Sequence, residues 1–316
     1  FEVHAFTRWS DPVDNIIHLS ERINRKDKII LHYGDLNDFS SISKVVNSIR
    51  AEFVFHLAAQ SFPRTSFDSP IETLNTNIIG TANLLESLKM LKLGGDYQPV
   101  IHICSSSEVY GRNKSKKRLN EETRLHGASP YSVSKIGADY LGQFYGEAYE
   151  LKTFITRMGT HSGPRRSDVF FESTVAKQLA LIEKNFQEPV IYVGNLESVR
   201  TFQDARDAVR AYYLLAVESE KGNIPCGEVF NIAGEIALSL KEVIDIFLGF
   251  TKLKNVEIVQ DRKRLRPIDA DYQMFDNSKI KSAIDWKPQI DILQTFEDLL
   301  NHWRHQIEDG KIPLNR

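Results

Sequence analysis

The chain has 316 residues, of which 41% are hydrophobic and 26% charged, and these proportions are typical of an ordinary globular protein. A formal net charge of -2 predicts no strong attraction to nucleic acid or to an anionic membrane, so we expect neither as a partner. Two cysteines are too few for a disulfide framework, and no apolar run is long enough to span a bilayer, which together favour the cytoplasm.

Short apolar strands alternate with helices over the first half of the chain. Strands are predicted over 1–6, 29–33, 53–57, 100–104 and 153–156, and helices over 40–50, 71–93 and 131–150. This alternation predicts an α/β fold with a doubly wound, Rossmann-like parallel sheet that binds its ligand at the carboxyl ends of the strands.

Beyond residue 165 the alternation becomes looser. Helices are predicted over 170–185, 240–250 and 293–306, and strands over 190–193, 228–234 and 256–259. The sequence therefore predicts a nucleotide-binding domain over 1–165, and a smaller α/β substrate lobe over 166–316 from which some segments return to the first domain.

The first predicted strand lacks its usual predecessor. A nucleotide-binding α/β domain normally begins with a strand, a glycine-rich turn and a helix. None of these comes before the strand at 1–6. We therefore expect the chain to be a fragment that lacks roughly 25 residues, the size of a strand-turn-helix unit, and we assign no pyrophosphate-binding loop.

Two clusters in the centre of the chain carry the chemical argument. Ser106, Ser107 and Glu108 follow the apolar strand 100–104, so a buried strand ends in hydroxyls and a carboxylate. Tyr131 and Lys135 lie four residues apart in a predicted helix, where such residues share a face. A tyrosine has an ordinary pKa near ~10 and is a poor base, but a fixed cation nearby lowers that pKa.

The two clusters together suit the oxidation of an alcohol to a ketone. A serine shares the substrate proton and the phenolate accepts it, while the hydride requires a nicotinamide cofactor. A bare Tyr-x-x-x-Lys occurs by chance in many amphipathic helices, so the spacing alone is weak. The stronger signal is the order of features: apolar strand, serine-rich end, polar loop, then Pro130 before Tyr-x-x-x-Lys.

This order resembles the extended short-chain dehydrogenase/reductase family, and the segment 56–61, His-Leu-Ala-Ala-Gln-Ser, is similar to that family's signature at its fourth strand. The resemblance implies the catalytic residues Ser106, Glu108, Tyr131 and Lys135. It also implies that Tyr131 and Lys135 contact the cofactor, together with Asp35, Leu36, Leu57, Ala58 and Ala59.

Arg8 bears on the choice of cofactor. It follows the first strand, where an acid usually binds the ribose of NAD and an arginine suits the 2'-phosphate of NADP. Arg8 therefore favours NADP, with NAD as the alternative. The other interpretation of Arg8 is a solvated loop arginine, because Asp11 lies close by.

Two groups within the family compete, and both act on GDP-linked hexoses. The chain resembles GDP-mannose 4,6-dehydratase in Arg8, in the segment 32–36, in Glu108 and in the Pro-Arg-Arg at 164–166. It resembles GDP-4-keto-6-deoxymannose reductase in later segments such as 193–197, 227–231 and 265–267. We favour the dehydratase, a lyase, with the reductase as the alternative. An epimerase or a family member without catalysis is a less favoured interpretation.

The resemblance also implies a binding site for the GDP-sugar substrate. Arginine forks match diphosphate oxygens, and the family places arginines where Arg200 and Arg266 stand. A carboxylate that holds the ribose corresponds to Asp269. Asn195 lies near the expected guanine pocket, and Ser107 and Thr160 are the implied sugar or phosphate contacts, although Thr160 stands where the family usually has asparagine. The family further implies a homodimer or homotetramer.

Overall fold

The computed structural model describes residues 1–95 and 97–311, and within it the chain crosses repeatedly between two units. Unit 1 comprises 1–105, 129–156 and 216–229, and unit 2 comprises 106–128, 157–215 and 230 onward. The units are thus interleaved along the chain, whereas the sequence predicts one principal boundary after residue 165.

The strands and helices are numbered in chain order. The strands are β1 Val3–Thr7, β2 Ile29–Tyr33, β3 Phe53–His56, β4 Val100–Cys104, β5 Lys152–Met158, β6 Thr160–Ser162, β7 Val190–Val193, β8 Val199–Asp204, β9 Glu228–Ile232, β10 Ala237–Ser239 and β11 Glu257–Gln260. The helices are α1 Ser20–Asn24, α2 Phe39–Ile49, α3 Pro63–Asp68, α4 Pro70–Leu74, α5 Gly80–Leu93, α6 Pro130–Tyr149, α7 Phe171–Glu183, α8 Ala205–Glu220, α9 Leu240–Gly249, α10 Ser278–Ile284 and α11 Ile292–Glu308.

Parallel strands form the centre of unit 1. β1 pairs with β2 in parallel, and β3, β4 and β5 pair in parallel in a second sheet of order β3-β4-β5-β9. Four of the five residues of β4 are buried, as a strand covered on both faces requires. The prediction of a Rossmann-like parallel α/β fold is confirmed.

The helices of unit 1 bury their apolar faces against this sheet. α2 is capped at its start by Asp38, whose side chain accepts from the amide of Ser40, and at its end by Arg50, which adopts a left-handed conformation. α2 packs on α5, and the shared core includes Ile42, Leu85 and Ile101. This core holds the strand ends in fixed positions.

The long helix predicted over 71–93 is interrupted. α4 ends at Leu74, a π-helical turn follows over Asn75–Ile79, and α5 begins at Gly80. Such a turn contains an extra residue and changes which side chains face inward. Here it buries Asn77, which is 2% exposed, while Asn75 stays at the surface.

Unit 2 contains small sheets and three closely packed helices. β8 lies between β10 and β6, pairing antiparallel with the first and parallel with the second, and β11 pairs in parallel with β7. The sequence predicts no strand over β8, because its buried residues are largely polar and lack an apolar alternation. α7, α9 and α11 pack together around a core that includes Leu179, Phe247 and Phe296.

In the described part of the chain, no helix is both long and apolar enough to cross a membrane.

Two histidines lie in the core of unit 1. His102 on β4 is fully buried, its Nε2 lies 2.8 Å from Thr156 Oγ1, and its ring stacks on Phe154. His56 Nε2 lies 2.9 Å from Thr81 Oγ1. Burial lowers the pKa of each imidazole to about 3, so both are neutral in the fold at pH 7.

We expect this pair to make the fold sensitive to acid. The unfolded state takes up protons near the ordinary histidine pKa of ~6.5. The fold takes them up only near pH 3, so the free energy of unfolding falls as the pH drops between these values. His102→Gln should therefore show a smaller shift of the urea midpoint between pH 7 and pH 4.5 than the unmodified chain. The control is His18→Gln at an exposed position; an equal acid effect in both variants would contradict the assignment to His102.

Candidate active site

Lys135 is buried in unit 1 at the end of strand β4. Its side chain is 6% exposed, and its Nζ donates a 2.8 Å hydrogen bond to the carbonyl of Cys104, the last residue of β4. Burial lowers the pKa of this ammonium below its ordinary value, although Cys104 and Asp139 act in the opposite direction. The hydrogen bond fixes the cation at the carboxyl end of a central strand.

The start of α6 positions Tyr131. Ser129 caps the helix by accepting from the amide of Ser132, and the Ser132 hydroxyl accepts in return from the Ser129 amide. This capping box and Pro130 in the first turn set where the helix begins. Tyr131, which is 8% exposed, therefore lies on the same helix face as Lys135, as the sequence predicts.

A further contact joins β4 to α6. The Ser105 hydroxyl donates a 2.7 Å hydrogen bond to Asp139, which is fully buried one turn beyond Lys135. Asp139 also accepts from Gln143. The strand end and the helix are thus joined at two successive turns of α6.

Asn77 connects the end of β3 to the same helix. Its amide oxygen accepts from the backbone of Gln60 at 2.8 Å, and its amide nitrogen donates to the Gln60 carbonyl at 3.0 Å and to the Ser134 hydroxyl at 2.8 Å. Asn75 and Asn77 both come early in the helix predicted over 71–93, so the sequence alone leaves open whether either of them is a brace or both are surface residues. The π-helical turn identifies Asn77.

The predicted cofactor residues lie at the ends of the strands of unit 1. Leu57 is 51% exposed directly after β3, and Ala58 is also exposed, so an open apolar surface is present where a flat ring could lie. Asp35 follows β2 and accepts from the amide of Asn37. Leu36 is buried next to it.

Arg8 follows β1 and is already paired. Its Nη2 lies 2.9 Å from Asp11 Oδ1, and this contact, with the hydrogen bond from its Nε, raises the pKa of the guanidinium. The side chain is more than half exposed. The guanidinium of Arg8 is therefore paired with Asp11, and more than half of the side chain remains accessible to solvent.

In unit 2, a short 3-10 turn over Ser107–Tyr110 presents Glu108. The Ser106 hydroxyl caps this turn by accepting from the amide of Glu108 at 3.2 Å. Gly111 ends the turn at φ 62°, and a Cβ there would lie 1.8 Å from the carbonyl oxygen of His126. Only glycine fits this position.

Gln273, which is distant from this turn in the sequence, stabilises it through hydrogen bonds. Its Nε2 donates to the carbonyl of Ser107 at 3.3 Å and lies 3.5 Å from Glu108 Oε1, while its Oε1 accepts from the Ser107 hydroxyl. Gln273 is 1% exposed. The sequence offers no signal for this residue, because it lies 165 positions from Glu108 and belongs to no motif.

A second cluster in unit 2 is built on Asp269. Arg200 Nη2 donates to Asp269 Oδ1 at 3.2 Å, and Asn195 and Ser198 both donate to Oδ2. Arg266 Nη1 lies 3.7 Å from Asp269 and also 3.7 Å from Glu108 Oε2. Burial alone would raise the pKa of Asp269, but the two guanidiniums and these donors bring it below its ordinary value.

Unit 2 thus brings together Glu108, Asn195, Arg200, Arg266 and Asp269, all of which the sequence singled out. Thr160 lies on β6, in register with Phe202 of β8 and so next to the strand that carries Arg200. Tyr131 and Lys135 belong to unit 1, whereas Ser106, Ser107 and Glu108 belong to unit 2.

The fold and these residues define the class of protein as a Rossmann-type enzyme of the short-chain dehydrogenase/reductase kind. The family model described as GDP-mannose 4,6 dehydratase matches residues 1–299, and the chain belongs to this family.

Relatives within the family carry two different names. The chain is 29% identical over 257 residues to the GDP-6-deoxy-D-mannose reductase of Pseudomonas aeruginosa, with 81% of each protein covered. It is 29% identical over 297 residues to GDP-mannose 4,6 dehydratase 1 of Arabidopsis thaliana, covering 92% of this chain and 79% of that one. The solved structure of RMD from Pseudomonas aeruginosa complexed with NADPH is similar with a TM-score of 0.80 at 27% identity, and the match covers 97% of this chain and 100% of that one.

We expect Asn77→Ala to destabilise the fold by about 2 to 3 kcal/mol, since it leaves the Gln60 backbone groups and the Ser134 hydroxyl without these partners. The matched control is Asn75→Ala on the same turn at an exposed position, which should change stability by less than about 0.5 kcal/mol. Urea unfolding of the two variants gives the comparison. Equal losses would mean that Asn77 does not act as a brace.

Proposed function

We propose that the chain is a nucleotide-sugar 4,6-dehydratase that acts on a GDP-hexose such as GDP-mannose. The observation that carries the proposal is the cluster of unit 2, where Arg266 lies beside Glu108 and Asp269, and Asp269 is also paired with Arg200. Two arginines suit a diphosphate, and an adjacent carboxylate suits acid/base chemistry on the attached sugar. The family and the name of the Arabidopsis relative support the same substrate class.

A nicotinamide cofactor fits the residues of unit 1. The exposed surface of Leu57 and Ala58 suits a flat ring, Asp35 and Leu36 suit the adenine end, and the buried Lys135 ammonium suits a ribose hydroxyl. When bound, this cofactor supplies the acceptor and donor of hydride. The NADPH in the structurally similar RMD supports this class of cofactor.

The chain's own residues move the protons. Tyr131 removes the proton of the C4 hydroxyl, and Lys135 stabilises the resulting phenolate. A ketone at C4 acidifies the hydrogen at C5. Glu108 removes that proton and transfers it to the C6 hydroxyl, which leaves as water, and Ser106 hydrogen-bonds the C4 oxygen. When hydride has returned to C6, C5 takes up a proton from solvent, and this balances the proton that Tyr131 removed from the C4 hydroxyl. Arg200 and Arg266 bind the diphosphate, and Ser107, Thr160 and Asn195 contact the rest of the substrate.

The second candidate is a GDP-4-keto-6-deoxymannose reductase. The similarity to the Pseudomonas aeruginosa reductase, which covers 81% of both chains, favours it. The same Tyr131 and Lys135 would then protonate the C4 oxygen as the ketone is reduced.

A homodimer or homotetramer, a cytoplasmic location and the absence of nucleic-acid partners stay predictions from the sequence.

The proposed function predicts turnover without added reductant. Incubated with GDP-mannose and catalytic NADP, the chain should release one water per sugar, as mass spectrometry detects, because the hydride removed at C4 returns at C6. Tyr131→Phe should stop the reaction, since it cannot take the C4 proton. Consumption of NADPH with a 4-keto sugar, and no loss of water from GDP-mannose, would select the reductase instead.

NADP is the proposed cofactor, and Arg8 is the residue proposed to bind its 2'-phosphate. Arg8→Gln should weaken NADP binding roughly tenfold while leaving NAD binding unchanged, because only NADP carries the 2'-phosphate. Fluorescence titration with both reduced cofactors measures this. Arg64→Gln, which removes another exposed arginine with one aspartate partner, is the control. Equal losses for NADP and NAD after Arg8→Gln would remove Arg8 from this role.

A further inference from the structure

The two arginines of the unit 2 cluster are held differently. Arg200 lies on β8 between two neighbouring strands, its side chain is 10% exposed, and its two terminal nitrogens each donate a 3.2 Å hydrogen bond, one to Asp269 and one to the Val199 carbonyl. Arg266 follows a short 3-10 turn, is 29% exposed, and lies 3.7 Å from both of its carboxylates, Glu108 and Asp269. A separation of 3.7 Å is longer than a hydrogen bond. Both terminal nitrogens of Arg200 thus donate hydrogen bonds, whereas Arg266 donates none within hydrogen-bond distance to the described residues.

Glu108 is held between unlike partners. Its Oε2 faces the Arg266 cation, and its Oε1 faces the neutral amide of Gln273 at 3.5 Å. The position of Gln273 does not depend on Arg266. Its side-chain amide also hydrogen-bonds the hydroxyl and the carbonyl of Ser107, and its backbone amide donates to the carbonyl of Val199. Removing the cation would therefore leave Glu108 in place.

We propose that Glu108 and the diphosphate of the nucleotide compete for Arg266, so that nucleotide binding draws this arginine away and releases Glu108 from its cation. The inference rests on the proposed function only in that the substrate is a nucleoside diphosphate sugar. A diphosphate carries more charge than one carboxylate and accepts both arms of a guanidinium, so it is the stronger partner.

The exchange suits the chemistry of Glu108. Glu108 would thus lose its cationic partner only when a nucleotide is bound, while Gln273 keeps it oriented. Arg200 gives the diphosphate a fixed contact that does not depend on Glu108.

If Glu108 and the diphosphate compete for Arg266, the effect of Glu108→Gln on nucleotide affinity depends on whether Arg266 is present. Binding measurements detect this dependence without any turnover. Glu108→Gln removes the competitor, so GDP should bind roughly 5-fold more tightly or better by isothermal titration calorimetry. In a chain that already carries Arg266→Gln, the same Glu108→Gln change should alter GDP affinity less than about 2-fold, because nothing is left to compete for.

Arg200→Gln is the matched control. It should weaken GDP binding, since a fixed diphosphate contact is lost, yet Glu108→Gln should still tighten binding in that background. Should Arg266→Gln fail to fold, Arg266→Met, which keeps the length of the stem, takes its place.

Three outcomes would overturn the inference. If Glu108→Gln tightened GDP equally with and without Arg266, the effect would be plain repulsion between the carboxylate and the diphosphate. If it left GDP affinity unchanged, or if GDP did not bind at millimolar concentration, there would be no competition. The proposed function is tested separately. Loss of water from GDP-mannose without this coupling would contradict only the inference. The coupling without loss of water would contradict only the dehydratase assignment.

Discussion

The hydrogen bond from Lys135 to the carbonyl of Cys104 is the interaction on which the candidate site of unit 1 depends. A buried ammonium is costly unless it is hydrogen-bonded, and this one donates to the carbonyl of the last residue of β4. The bond therefore fixes two things together: the position of the charge and the distance between β4 and α6. The same contact positions Tyr131, which lies one turn earlier on the same helix.

The contacts around this bond explain why the helix cannot slide along the strand. Ser105 binds Asp139 one turn later, and Asn77 binds Ser134 from the other side. Each of these groups is buried, so a shift of α6 by one residue would leave several polar atoms unpaired at once. Proton transfer requires positioning within a fraction of an ångström, and a set of short polar contacts supplies it better than apolar packing does.

The sequence predicts the regular parts of this arrangement and misses the parts that depend on contacts between distant segments. Strand β4 and the start of α6 are readable, because an apolar run, a proline and the tyrosine-lysine spacing are local signals. Arg200, Arg266 and Asp269 came from a family resemblance rather than from any pattern of their own. β8 and Gln273 were missed, since a polar strand becomes a strand only through its neighbours and a lone glutamine acquires a role only through its partners.

The turn that carries Glu108 illustrates why the reaction type is harder to predict than the fold. A 3-10 turn of four residues does not hold itself, and it is fixed by Gly111 against His126, by the Tyr110 hydroxyl on Asn231, and by Gln273. A glutamate at this position is compatible with both a dehydratase and a reductase, so its presence does not decide between them. The environment of its carboxylate contains one neutral donor and one loosely held cation. Removal of water requires a second acid/base besides tyrosine, whereas reduction of a ketone does not, so what Glu108 does to the proton at C5, rather than its presence in the turn, separates the two reactions.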